Sequence, residues 1–156
     1  MTNEWPLVYC PETGVLTWRV TTGARGMAGA KAGSVRADGY RAVKVRGRLY
    51  KAARVAWFCM TGAWPAEEID HINGDRDDNR WGNLREVSRA VNMQNIRRAQ
   101  KRSVLGVLGV SRHRRKYRAC IKKDGKSTYL GLYETAELAH AAYVAAKREL
   151  HPGNTL

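Results

Sequence analysis

The sequence lacks the features that would place it in several large classes. Its three cysteines, Cys10, Cys59 and Cys120, are far apart and form no C-x-x-C pair. Neither a disulfide framework nor a thiolate zinc site follows, and reduced, partly buried thiols are expected. No apolar run approaches the length of a membrane span, and the opening Met1-Thr2-Asn3-Glu4-Trp5-Pro6 does not read as a signal peptide. A soluble cytoplasmic protein with no membrane partner is the expectation. Acid is scarce too: 14 Asp and Glu stand against 28 Lys and Arg, giving a formal charge of +14 and a pI near 10.2. An excess of that size points to a polyanionic partner. At 156 residues the chain has room for one ordinary domain or two or three small modules.

The few acids are not spread evenly. Residues 1–65 carry about +7, residues 66–100 about −1 and residues 101–156 about +8. Basic flanks around a near-neutral centre fit a chain whose flanks grip phosphates and whose centre holds a cation. A merely solvated basic surface would not gather the acids in one place.

That place is Ile69-Asp70-His71-Ile72-Asn73-Gly74-Asp75-Arg76-Asp77-Asp78-Asn79-Arg80-Trp81-Gly82-Asn83-Leu84-Arg85, closed by Asn92 and Asn95. Residues 68–71 read as a strand end and Asn73-Gly74 as a turn. Residues 84–87 form a second short strand, and Ser88 caps a helix predicted from about Arg89 to Ala99. Such residue types suit metal-assisted phosphodiester hydrolysis. A hard cation such as Mg²⁺ takes oxygen ligands, uses few protein groups and keeps several waters. Asp70 offers a carboxylate and Asn92 an amide oxygen, and His71 titrates near neutrality and can take a proton from water. Neighbours on a regular strand point to opposite faces, so Asp70 and His71 share one site only if the strand breaks there. A calcium loop is the nearest rival, through Asp75-x-Asp77-x-Asn79 and Glu86 in the twelfth place. Its sixth position needs glycine and holds Arg80.

Asp70-His71-Ile72-Asn73-Gly74-Asp75, Asp78-Asn79-Arg80, Asn83-Leu84-Arg85 and Asn92-x-x-Asn95 resemble the HNH endonucleases of the phage and homing type. The resemblance implies a ββα-metal core over about residues 67–99. It implies His71 as general base, Asp70 and Asn92 as ligands of a divalent metal (Mg or Mn), and Asn83 as the brace of the loop that orients the histidine. Double-stranded DNA in a bacterial cell or phage-infected host would then be the substrate. Residues 50–57, Tyr-x-Ala-x-Arg-x-Ala-Trp, resemble the same family, except that Ala53 stands where many relatives have histidine. Arg54 is a candidate for the scissile phosphate or for a structural ion pair.

Upstream, residues 7–9 and 14–20 read as short strands, residues 22–34 as a flexible basic loop, and residues 39–51 as a hairpin turning on Arg46-Gly47. Residues 52–60 read as a helix stopped by Thr61-Gly62. Beyond a basic linker at 99–103, residues 107–112, 116–121 and 127–132 read as three strands, the last two joined by Lys123-Asp124-Gly125-Lys126. A helix follows at 138–150, capped by Thr135 or Glu134 and ended by His151-Pro152-Gly153. Gly109-Val110, Tyr117-Arg118-Ala119-x-Ile121, Tyr129-Leu130-Gly131-x-Tyr133 and residues 136–143 resemble the plant ethylene-response-factor (APETALA-two) DNA-binding domain. That resemblance makes Arg112, Arg114, Arg118, Lys122 and Tyr129 candidates to face DNA.

An α+β chain is therefore expected: a β-rich N-terminal lead-in, a ββα-metal nuclease core, and a C-terminal three-stranded antiparallel sheet packed on one helix. The nuclease module would span 1–100 and the DNA reader 101–156. One site per chain predicts a monomer, without an obligate protein partner, that nicks one strand. The main rival is a DNA-binding regulator or architectural protein whose nuclease core has lost activity.

Overall fold

The computed structural model describes residues 5–23, 26–96, 99, 103–123, 125–151 and 153–154. Expectations that fall on Arg25, Arg97, Arg98, residues 100–102, Asp124 and Pro152 lie outside the described residues. The fold is α+β, and its contacts divide it into two compact units, Met1–Val87 and Ser88–Leu156.

In the first unit, β1 (Leu7–Tyr9) pairs antiparallel with β2 (Leu16–Trp18). A second sheet runs in the order β3 (Ser34–Val35), β4 (Arg41–Val45), β5 (Arg48–Lys51). The β4–β5 turn uses Arg46 (φ 47°) and Gly47 (φ 82°), the two left-handed positions that match strand twist in a two-residue hairpin. The helix α1 (Ala52–Thr61) follows without a loop and ends at Gly62. Its buried face, Ala52, Ala53, Val55 and Ala56, packs with Leu7, Leu16, Val43 and Val45 in one apolar core. Position 53 is therefore a core position filled by a small side chain.

Part of the basic loop predicted at 22–34 lies against β2. Ala32 is buried and donates its N–H to the Leu16 carbonyl at 2.7 Å, and Trp18 N–H reaches Ala30 O at 3.0 Å. Small side chains let this backbone lie against β2, where its polar groups find partners. The polar centre of the chain is carried by a third pair, β6 (Glu68–His71) and β7 (Leu84–Val87), preceded by a 3₁₀ turn at Trp81–Asn83.

The second unit opens with α2 (Arg89–Gln94). Ser88 caps it, accepting the Val91 N–H at 3.4 Å. The helix stops five residues short of the predicted Ala99, because Asn95 N–H turns back to Asn92 O at 3.0 Å and closes the last turn. Three antiparallel strands follow, β8 (Val110–His113), β9 (Lys116–Lys123) and β10 (Lys126–Tyr133), with β9 central. The helix α3 (Ala136–Leu150) is capped by Thr135 and packs on this sheet through Ala139 against Val110 and Ala119.

Lys147 on α3 is 1 % exposed, and its ammonium donates to the Ile96 carbonyl just past α2. Gly153 N–H reaches Gln94 Oε1 at 3.2 Å. These bonds tie α2 to the end of α3.

Gly109 sets where β8 begins. Its φ is +75°, and a Cβ there would lie 2.0 Å from Tyr143 Cδ2. Gly109→Ala should thus destabilise the second unit by about 2–4 kcal/mol, from left-handed strain plus overpacking. Thermal unfolding of the full chain measures it; an unchanged midpoint would mean that α3 shifts at no cost.

Candidate active site

The polar loop is built as a set of nested brackets around β6 and β7. The register pairs Asp70 with Arg85 and His71 with Leu84, and Ile72 N–H extends the pairing to Asn83 O at 2.9 Å. β6 runs regularly to His71 and ends there, so consecutive side chains leave the strand towards different partners. Asp70 is 6 % exposed. Its Oδ2 accepts Arg85 Nη2 at 2.8 Å and Nε at 3.0 Å. His71 is 3 % exposed, and its Nε2 lies 3.2 Å from Asn79 Oδ1.

Asn79 sets the histidine's tautomer. Its Nδ2 donates to Asp77 O at 2.9 Å, which turns the amide oxygen towards the ring. Nε2 is then the protonated nitrogen, and Nδ1 carries the lone pair that a base needs. Burial pushes the His71 pKa below the ordinary 6.5; the Asn79 bond and the fields of Asp70, Asp75 and Asp78 oppose the shift only in part. His71 is therefore neutral at pH 7, in the form that accepts a proton.

Asn83 closes the loop at both ends. Its Oδ1 accepts Asn73 N–H at 2.9 Å and its Nδ2 donates to Asp78 O at 2.7 Å. Within the loop, Asn73 and Asp75 each accept a backbone N–H two residues on, from Asp75 and Asp77, at 2.9 and 3.0 Å. Such Asx turns let short polar side chains replace missing backbone partners. The N-terminal hairpin supports the far side: Tyr9 OH donates to Asn79 O at 2.7 Å and Trp81 N–H to Pro11 O at 2.9 Å. Gly14 (φ +71°) makes this approach possible, since a Cβ there would fall 2.5 Å from Asn79 C and Arg80 N.

The acids of the loop do not form one open cluster. Asp77 takes a bidentate pair from Arg41 (2.8 and 2.9 Å) and Asp78 takes Arg80 (2.6 and 2.8 Å). The Arg80 guanidinium, the loop bonds and the charge hold Asp78 down to about 2. Among the described residues no group of three or more His, Cys, Asp or Glu converges as a metal cluster. Asp77 and Asp78 thus build the loop. The donor set still fits a hard cation, which needs one or two protein oxygens and otherwise takes water and phosphate. Asp70, the acid that precedes His71, is the carboxylate such a cation would take, and the cation would share it with Arg85.

Other predicted residues are placed as follows. Asn92 lies on α2, in the second unit. Arg54 donates to Glu67 O and Pro65 O, both at 2.8 Å, so its fork braces the segment leading into β6. On the C-terminal sheet, Arg118, Cys120 and Lys122 alternate with buried Ala119 and Ile121 and face away from α3. Tyr129 stands opposite Cys120 and is 58 % exposed. Arg118, Cys120 and Tyr129, with His113, Ser127 and Leu132, line a hollow on the outer face. Arg112 stands opposite Tyr117 and so belongs to the helix-side face, and Arg114 sits in the β8–β9 turn at φ 55°.

Sequence reasoning passed over Asn79, Arg85 and Arg41. A signal for Arg85 was present: an antiparallel pair closing around the loop sets residue 85 opposite residue 70. Arg41 comes from 36 residues away, and no local pattern announces it.

Residues 50–94 match a family model described as an HNH endonuclease. The match covers α1, the polar loop and α2, and supports a nuclease acting on DNA. Searches of curated proteins and of solved structures returned no match. No helix among the described residues is long and apolar enough to cross a membrane.

Proposed function

We propose that the chain is a metal-dependent DNA endonuclease that nicks one strand at a recognised site. The observation that carries this reading is the His71–Asn79 pair: a buried, neutral imidazole with its tautomer set, beside an acid, inside the segment matched as an HNH endonuclease. His71 Nδ1 takes a proton from water, the water oxygen bonds to phosphorus, and the bond to the leaving sugar oxygen breaks as that oxygen takes a proton from solvent. One phosphate end and one hydroxyl end result. A divalent cation, Mg²⁺ or Mn²⁺, on Asp70 would stabilise charge on the phosphate and the leaving oxygen. Asn83 and Asn79 keep the loop and the ring in position.

Residues 101–156 serve in this proposal as the DNA reader, with 1–100 as the nuclease module. The exposed cationic face of β9 and β10 supports the role; the ethylene-response-factor likeness rests on its sequence motifs. Arg118, Lys122 and Tyr129 share that face and are the first contacts assigned. Substituting Arg118 and Lys122 by Gln should flatten the salt dependence of DNA affinity by about 1.8 in the log–log slope, roughly 0.9 per phosphate lost. An unchanged slope would remove the sheet from the grip.

A monomeric, homing-type nicking enzyme makes open-circle product first. Supercoiled plasmid with Mg²⁺ or Mn²⁺, sampled early, tests this together with the mass of the protein alone and on DNA. Linear product from the earliest times with a dimeric mass would overturn the nicking claim.

A further inference from the structure

Two cations meet on one aromatic ring beside His71. The Tyr40 ring lies 5.8 Å from the His71 imidazole, centroid to centroid. Lys51 Nζ stands 4.2 Å from the Tyr40 centroid and Arg76 Cζ 4.9 Å. The three residues arrive from the start of the β4–β5 hairpin, its end and the polar loop. A turn fixes two of them: Arg76 Nη1 donates to Asp38 O at 2.7 Å, and Asp38 Oδ1 accepts Tyr40 N–H at 3.1 Å.

The charges here differ from those of the other arginines around the loop. Arg41, Arg80 and Arg85 are each neutralised by a carboxylate. Among the described residues neither Lys51 nor Arg76 is paired with one. Each is held only weakly by the ring face at an exposed position, and the two repel each other. An anion taken by both offsets that repulsion. Both cations lie within about 11 Å of the imidazole. A DNA strand carries one phosphate per roughly 3.4 Å of helix axis, so a strand at His71 brings a phosphate to them.

We infer that Tyr40, Lys51 and Arg76 form a phosphate grip that holds the DNA backbone at or next to the bond being cut. The inference rests on the nuclease reading for its place in the reaction. Tyr40 spaces the two cations and keeps them beside the base; they take the phosphate oxygens and leave the proton transfer to His71. Their loss weakens substrate capture.

The test compares the full chain with its Lys51→Gln/Arg76→Gln variant, binding a generic duplex in chelator over a salt series. The expected result is weaker binding and a log–log slope reduced by about 1.8, two contacts at roughly 0.9 each. The duplex concentration that gives half-maximal single-turnover cleavage should rise with the dissociation constant. A slope change under about 0.5 overturns the grip. Should the double variant lose its cooperative melting transition, the parent chain and a duplex with neutral methylphosphonates across the mapped cut take its place. Neutral linkages there must reproduce the loss of slope, and an unchanged slope again overturns it. If the parent binds DNA but cuts none in Mg²⁺ or Mn²⁺, the nuclease reading fails, and uniformly spaced methylphosphonates with the same two variants still decide the grip.

Discussion

Full-length protein carrying His71→Ala is expected to lose about 10²- to 10⁴-fold in cleavage rate, the usual contribution of a general base. DNA affinity should stay near the parent's, because a neutral buried imidazole contributes little to holding a polyanion. Cleavage within tenfold of the parent would remove His71 from the chemistry. A pH series adds a second reading on the parent enzyme. Catalysis needs the neutral ring, and burial lowers the pKa below 6.5. The rate should therefore hold as pH falls through the ordinary imidazole range and drop only at a lower value. The same sign applies to stability: the neutral ring favours the folded state above 6.5, and that advantage is lost as pH falls through the folded-state value. A rate loss centred at or above 6.5 would contradict a desolvated base.

Asp70→Asn should abolish metal-dependent cleavage for a different reason. It removes the carboxylate assigned to the cation while preserving shape, so the Mg²⁺ response should fall along with the rate. It also removes the anion that Arg85 pairs with across the β6–β7 register, where the two side chains are 7 % and 26 % exposed. Allowing for partial solvent screening on the arginine, stability should drop by about 1–3 kcal/mol. Thermal unfolding reads the second effect and a Mg²⁺ titration of cleavage reads the first. An unaltered Mg²⁺ titration would mean that Asp70 serves the fold alone.

The strands, the hairpin on Arg46-Gly47 and the cap at Ser88 were legible because turn and cap chemistry is local. So was the C-terminal order of three strands and a helix, which follows from alternation and then a run of helix formers. The length of α2 was not legible: nothing in residues 95–99 opposes a helix, and the stop comes from Asn95 turning back and Lys147 claiming the Ile96 carbonyl. At the site, the Asp-His step was plain, but the partner of each member was not. Asn79 stood in the motif without a role, because its contact with His71 depends on the loop's path. Arg54 read by type as a phosphate ligand or half of an ion pair, and its contacts with the Glu67 and Pro65 carbonyls were not legible. Charge counts located the acids correctly, yet could not tell that Arg41 and Arg80 neutralise two of them while Lys51 and Arg76 are set on a ring instead. Such pairings are tertiary facts, and composition alone carries only their sum.

The central claim, that the His71 loop hydrolyses DNA with a divalent cation, is tested most directly by one side-by-side experiment. Supercoiled plasmid is incubated with equal amounts of parent and His71→Ala protein purified identically, in chelator and then with Mg²⁺ restored. The account predicts open-circle product from the parent with metal, and none from the variant or in chelator. Equal conversion by the variant, or conversion that ignores the chelator, would contradict it.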